Sequence, residues 1–485
     1  MTADVIPRAS PHGYRARRTD HRESCIPVTE LPSGDVPILR PFRALRYQPR
    51  HVPDLSAVLC PPYDVIDPAE QAELLRRHPY NAVRLESPPP PGGAVKGHDD
   101  ARYRQAARDL ASWRSEGVLA KDRWPSIYVH EMSYTDAATG DPRAARGFMV
   151  RLRLETLEPG SGVRPHERTM SGPKEDRYQL LRATGTNLSP VVLVHEQPDT
   201  GGLLDALTAV PPDAEAVDRS GVEHRLWAVP APADGAAGPA QGDDGPAAVV
   251  RRLLQIVERG RLTIADGHHR YETALRYGDE RGRRRACESD PAYDYVLALL
   301  YAVDSAPPPL ATHRVVKDLT PSVGDAGFLA VADELFHVER LADADQLRGR
   351  LTVPPVEQES GRFGHLGPDG VALLTVRREA FAPLVDAALP EAARWLDTSL
   401  LAVALGHLAG IGPEELTSGR RVTYVKDAAA AVSLASESGA TAFLLDQTPI
   451  SAVLRVADAG GVMPQKSTYF HPKAPTGLLF NPLEQ

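Results

Sequence analysis

The chain has 485 residues, 42% of them hydrophobic and 25% charged, with a net charge of −9. That is enough apolar material for several buried cores, and at roughly 150 residues per domain it suggests about three domains. The basic runs Arg251–Arg252 and Arg281–Arg285 are too short to make the broad cationic face that duplex nucleic acid requires, so no nucleic-acid partner is expected.

Cys25, Cys60 and Cys287 are scattered, with no CxxC pair. A disulfide framework and a thiolate zinc site are both unsupported, and a reducing cytoplasmic compartment is expected. No apolar stretch approaches the length of a membrane span, and the first residues lack the apolar region of a secretory signal, so no membrane partner is expected.

Residues 1–36 read as a disordered tail, and an N-terminal α+β domain is expected over 37–160. Within it, Asp67-Pro68 is an N-cap with proline at the first helical position, opening a helix to about Arg77. Asn81–Glu86 (NAVRLE) reads as a short strand. After a Pro/Gly loop, an amphipathic helix is expected from Asp99 to Gly117, with Tyr103, Ala106, Ala107, Leu110 and Trp113 on one face. Ser126–Tyr134 and Arg146–Leu157 alternate as the two strands of a hairpin around the turn TDAATGDP.

A second unit is expected over 161–312, carrying a low-complexity insert at 230–247 that reads as a flexible loop. It opens on PHERT (Pro165–Thr169), where His166 and Glu167 form a candidate acid/base or metal-ligand pair, although surface carboxylates are common. A helix is expected over Pro173–Arg182 and a strand at SPVVLVHE. The most informative segment is IADGHHRYETAL (Ile264–Leu275). Leu262–Ala265 reads as a short apolar strand, Asp266-Gly267 as a turn, and the residues after it as a helix. Gly267, His268, His269 and Arg270 thus fall where a strand hands over to a helix. A helix N-terminus presents unpaired N–H groups and a positive dipole end, which favour an anion. Gly267 lets the backbone approach it, Arg270 offers a fork for phosphate oxygens, and the two histidines are donors that can change charge. Asp266 either caps the helix or holds a metal ion. An ordinary capped helix explains Asp266 and Gly267 equally well, but not the row His-His-Arg. A zinc pair is disfavoured, because adjacent helical residues point about 100° apart.

The third unit is expected over 313–485, an α/β domain. Its elements are a helix near Asp325–Phe336, a strand at Val371–Arg378, a helix over AARWLDTSLLAVALGHLAG, and strands at VTYVKD and TAFLLDQ. THR (Thr312 to Arg314) is a candidate to lend a cation to the site through Arg314, with an ordinary surface arginine as the alternative. Near the end, MPQKSTYFHPK gathers Lys466, Ser467, Thr468, Tyr469, His471 and Lys473 in a Pro-punctuated loop. Such a loop either reaches a cleft or is a docked tail.

PFRALRY, CPPYDVI, YNAVRLE, RPHERT, NLSPVV, IADGHHRYETAL, THRVV and MPQKSTYFHPK, in that order, resemble the domain of unknown function 1015 family from about residue 38 onward. The central block also resembles the ParB/sulfiredoxin-like fold, so an α/β (α+β) architecture with such a core at 161–312 is implied. Free-serine kinases of that fold carry a similar Asp-Gly-His-x-Arg turn, matching Asp266, Gly267, His268 and Arg270; their upstream glutamate corresponds more weakly to Glu167. No helix-turn-helix follows the central block and no cysteine neighbours the turn, against chromosome partition and sulfinic-acid reduction.

The resemblance implies a kinase for a small hydroxylated metabolite, with serine or a serine-like amino acid as first guess. ATP or ADP would lie on Gly267–Arg270 with Thr312 and Arg314 nearby, and Mg2+ on Asp266 and Glu167. Glu167, His268, His269 and Asp266 would be catalytic. Two other classes stay open: a nucleotide sensor without catalysis, and a phosphoester hydrolase or phosphotransferase using His268 or His269 as nucleophile. The sequence leaves the oligomeric state unassigned.

Overall fold

A computed structural model describes residues 36–90, 100–136, 140–158, 160–167, 171–231, 245–284, 290–319, 327–351, 361–464 and 467–484. The expected tail (all but residue 36), most of the Pro/Gly loop, most of the 230–247 insert, the tip of the TDAATGDP turn, Cys25, Cys287 and Lys466 lie outside them. The architecture is mixed α/β, built on two sheets.

The larger sheet has nine strands: β1 Leu39–Arg40, β2 Ser126–Thr135, β3 Pro142–Arg153, β4 Val163–Arg164, β5 Val191–His195, β6 Ala214–Val217, β7 Glu223–Pro230, β8 Leu262–Asp266 and β9 Tyr295–Ala302. Their order is β4-β8-β5-β9-β3-β2-β7-β6, with β1 alongside β3. The β4–β8 and β5–β9 pairs are parallel and the others antiparallel. β9 reads YVLALLYA because both of its faces are covered. Val296, Ala298 and Leu300 enter one core with Tyr271 and the helix Pro246–Val257. Leu297, Leu299 and Tyr301 enter another, with Phe42, Leu59 and Phe470. This is the two-residue period of a strand buried on both sides.

The second sheet contains β10 His313–Val316, β11 Phe336–Leu341, β12 Arg362–Gly367, β13 Gly370–Val376, β14 Val422–Val425 and β15 Thr441–Leu445, ordered β11-β13-β12-β15-β10-β14 and antiparallel throughout. One face packs on the helix Asp397–Ala409 through Leu400, Leu401, Ala404 and Leu405. The other packs on Ala431 and Ala435 of the helix Ala428–Ser438. No helix among the described residues is long and apolar enough to cross a membrane.

Several local expectations match. Asp67 caps the helix Pro68–Arg77, accepting from the amides of Ala69 and Glu70. The hairpin is β2–β3, and the amphipathic helix runs Asp100–Ser115. NAVRLE is not a strand, however: Val83–Glu86 is a helical turn. Asn81 explains it, donating to the carbonyls of Ala57 and Leu59 while its Oδ1 accepts from Val83 N. That local bonding holds the backbone in a turn. The helix expected at 325–336 is two short pieces, Phe328–Val331 and Ala332–Glu334, and Phe336 already begins β11. The helix expected at 392–410 is broken at Trp395–Leu396.

The expected boundary between 160 and 161 runs through the larger sheet, since β3 bonds to β9 and β2 to β7. The final residues also leave the second sheet. Tyr469–Phe470 pairs with Pro309–Leu310, and Asn481–Pro482 with Thr186–Asn187.

Phe443, fully buried on β15, meets Phe328 edge-on at 5.1 Å and His365 at 5.5 Å. Phe443→Ala is expected to destabilise the protein by about 3–5 kcal/mol in equilibrium denaturation; a loss below about 1 kcal/mol would show that the second sheet does not depend on this core.

Candidate active site

The strand-to-helix hand-over is where the sequence places it. β8 ends at Asp266, Gly267 has φ +94°, and a helix runs His268–Arg284. Gly267 is required by its conformation and its neighbour, because an added Cβ would sit 2.9 Å from Arg270 Nε.

The turn opens into a cleft of about 460 Å³. Asp266, Gly267, His268, His269 and Arg270 form its floor. Glu167 and Thr312 stand in its walls, as do Tyr63 and Asp64 from the segment after Cys60. Tyr424 and Lys426 at the end of β14, with Thr468, Tyr469 and Lys473 from the closing loop, complete it. Of Glu167, Asp266–Arg270, Thr312 and Arg314, only Arg314 does not line the cleft, and His166 lies behind it.

Charge organises the floor. Asp266 gives one carboxylate oxygen to Arg270 and the other to Lys473, 2.8 Å away. Lys473 also pairs with Asp64. Burial alone would raise the Asp266 carboxyl, but Lys473 and then Arg270 hold it far below the usual carboxylate range. Burial pulls the Lys473 ammonium down, and Asp266 and Asp64 more than reverse this. Arg270 also donates to the Pro190 carbonyl, while its Nε, buried, has no partner among the described residues. Arg270 is therefore committed to internal acceptors rather than presented as an open fork.

The expected magnesium role for Asp266 does not fit this arrangement, because both of its oxygens are engaged by cations. Among the described residues no three His, Cys, Asp or Glu side chains gather to hold a metal ion.

His268 is not the charge switch expected of it. Its Nε2 accepts from the His166 amide at 3.3 Å, and the two rings meet edge-on at 4.7 Å. Burial, then the neighbouring His166, pushes its pKa well below 6.5, so it stays neutral with its hydrogen on Nδ1. An occupied Nε2 also weakens the case for His268 as a nucleophile. His166, buried to 1% exposure, is a strut: it bonds the Ile264 carbonyl and Thr468 Oγ1, and burial lowers it to about 4. It fixes the backbone that carries Glu167, as does the bond from Met463 N to the His166 carbonyl at 2.7 Å.

Thr312 is 6% exposed, lines the cleft, and its hydroxyl has no partner among the described residues. Arg314 lies behind that wall, donating to the Thr312 carbonyl and sitting 5.1 Å over the Tyr424 ring. Burial lowers its guanidinium to about 10, against the pull of Tyr424 and Glu167. Arg314 thus positions the wall instead of offering a contact.

Tyr63, Asp64, Tyr424 and Lys426 were not singled out from the sequence. CPPYDVI and VTYVKD gave them only a motif and a strand, and nothing local marks a carboxylate that pairs with a lysine 409 positions later.

The model of the family described as protein of unknown function (DUF1015) matches residues 39–399, and the chain belongs to that family. No curated protein matches it. Similar solved structures include a free serine kinase in complex with AMP, 11% identical over 64% of this chain and 83% of that one, with a TM-score of 0.33. A conserved hypothetical protein from Pyrococcus furiosus is 10% identical, covering 64% of this chain and 86% of that one, TM-score 0.31. SbnI with a C-terminal truncation, from Staphylococcus aureus, is 10% identical, covering 68% and 87%, TM-score 0.31. Likeness at this level establishes neither a shared activity nor a shared site.

The buried histidines make acid stability testable. Burial is the leading cause that lowers His166, His195, His313 and His365 from 6.5 to about 4. Between those values the unfolded chain binds more protons, so stability falls as pH drops from about 6.5 to 4, by on the order of 3 kcal/mol per histidine at the limit. Burial raises Glu155 to about 7 and Asp397 to about 6, which opposes the trend. The histidines outnumber them, so urea midpoints should be lower at pH 4.5 than at pH 7. Equal midpoints would contradict the neutral, buried state of these rings.

Proposed function

We propose that this protein is a nucleotide-dependent kinase for the hydroxyl of a small metabolite, with serine or a serine-like amino acid as first candidate. The observation that carries the reading is convergence. Glu167, the Asp266–Arg270 turn and Thr312, distant in sequence, line one cleft at the start of a seventeen-residue helix. Backbone amides at a helix start favour phosphate oxygens, and the buried, unpaired Thr312 hydroxyl calls for a polar partner there. The serine-like acceptor rests on the resemblance of the Asp-Gly-His-x-Arg turn to that of free-serine kinases.

In this reading ATP or ADP lays its phosphates along Gly267–Arg270. The acceptor oxygen attacks the terminal phosphorus, and the bond from that phosphorus to its bridging oxygen breaks, releasing ADP or AMP. Glu167 takes the hydroxyl proton. His268, kept neutral, and His269 serve as hydrogen-bond donors or acceptors, and Arg270 orients the turn through Asp266. Magnesium enters such a reaction as the nucleotide's own counter-ion, offsetting phosphate charge.

The second reading, a nucleotide sensor without turnover, is favoured by one observation: the cations of the floor are already neutralised by Asp64 and Asp266.

Purified protein incubated with ATP or ADP, magnesium chloride and L-serine should yield phosphoserine by mass spectrometry. Glu167→Gln should cut turnover about a hundredfold or more while leaving nucleotide affinity unchanged by calorimetry. Nucleotide binding with no acceptor-dependent turnover would favour the sensor. Absence of nucleotide binding in wild type and in Arg270→Ala alike would remove both readings.

A further inference from the structure

Lys473 sits where three cavities meet: the main cleft, a smaller apolar chamber beyond Asp266, and a chamber of about 160 Å³ beside Cys60 and Asp218. Its side chain is only 8% exposed, and its ammonium is held between Asp64 and Asp266. Two carboxylates and two cations therefore cancel on the cleft floor. An anion approaching the helix start gains little from Lys473 unless one carboxylate gives way.

The two carboxylates are held very differently. Asp266 ends a strand of the larger sheet and is bonded to Lys473 and to Arg270, which is itself anchored on the Pro190 carbonyl. Moving it breaks the floor. Asp64 lies on the single turn Tyr63–Val65, is 29% exposed, and has Lys473 as its side-chain partner among the described residues. Turning it outward costs one ion pair and returns the carboxylate to water.

We infer that Asp64 is an internal stand-in for the ligand's anion: a phosphate oxygen of the bound nucleotide replaces it on Lys473, and the Tyr63–Val65 turn swings away. The inference rests on the cleft being a phosphate seat, as proposed above. It adds Lys473 as a phosphate contact and makes the Asp64 pair a competitor that sets affinity.

The test is calorimetric titration of the full chain with inorganic tripolyphosphate and with ATP. Asp64→Asn, which removes the charge and keeps the shape, should bind tripolyphosphate about three- to tenfold more tightly than wild type. Lys473→Met should bind it roughly tenfold more weakly or worse. If wild type binds and Asp64→Asn binds equally or more weakly, the Asp64–Lys473 pair is a structural clasp and the inference is wrong. If wild type binds neither probe, the phosphate-seat reading has failed and takes the inference with it. A measurement on wild type alone guards against misfolded variants. Saturation with tripolyphosphate should speed amide hydrogen exchange in residues 63–66, whereas unchanged or slower exchange there under saturation overturns the exchange of partners.

Discussion

Two carboxylates and two cations, Asp64, Lys473, Asp266 and Arg270, form a chain of ion pairs at the base of the cleft. Asp266, Lys473 and Arg270 are largely withdrawn from water and costly to leave unpaired, while Asp64 stands at the outer end of the chain. The chain draws on three parts of the sequence: an N-terminal turn, the β8–helix junction and the closing loop. The β8–helix junction and the closing loop must both arrive for the inner members to be paired. The burial that would raise the Asp266 carboxyl is overcome only because Lys473 and Arg270 are both present.

The path of the chain meets this requirement. After completing the second sheet it returns to the first. Phe470 packs into the core beneath Leu297 and Leu299, and Asn481 bonds Asn187. Arg151 on β3 grips Asn481 Oδ1 and the Pro482 carbonyl, both at 2.8 Å. Lys473 is thereby held between two anchored stretches. The cleft in turn gathers walls from both sheets, since Tyr424 and Lys426 come from the end of β14 while the floor belongs to β8. Junctions of this kind are where ligand clefts commonly form.

How much of this could be read from sequence depends on how local the cause is. The Asp67 cap, the β2–β3 alternation and the strand–glycine–helix order around Asp266 involve neighbours a few residues apart, and the structure has them. Asn81 defeated the strand reading of NAVRLE because its side chain reaches the carbonyls of Ala57 and Leu59, more than twenty positions back. The boundary near 160 failed to separate two sheets because pairing of β3 with β9 is a long-range event that periodicity does not encode. The cleft was legible as a set of motifs, not as a charge arrangement. Asp266 and Lys473 stand 207 positions apart, and only the folded chain shows that they pair.

That occupancy shapes how the proposed chemistry would work. A floor with free lysine and arginine would attract any small anion. A floor whose cations are neutralised internally favours ligands that supply several negative oxygens at once, enough to compete with a neighbouring carboxylate and to use the helix amides as well. Of the three carboxylates in the cleft, Asp64 and Asp266 are engaged by Lys473 and Arg270, while Glu167 instead feels the buried Arg314 behind the Thr312 wall. Under the proposed reading the three carboxylates divide the labour. Asp266 maintains the floor, Asp64 yields its place, and Glu167 takes the hydroxyl proton.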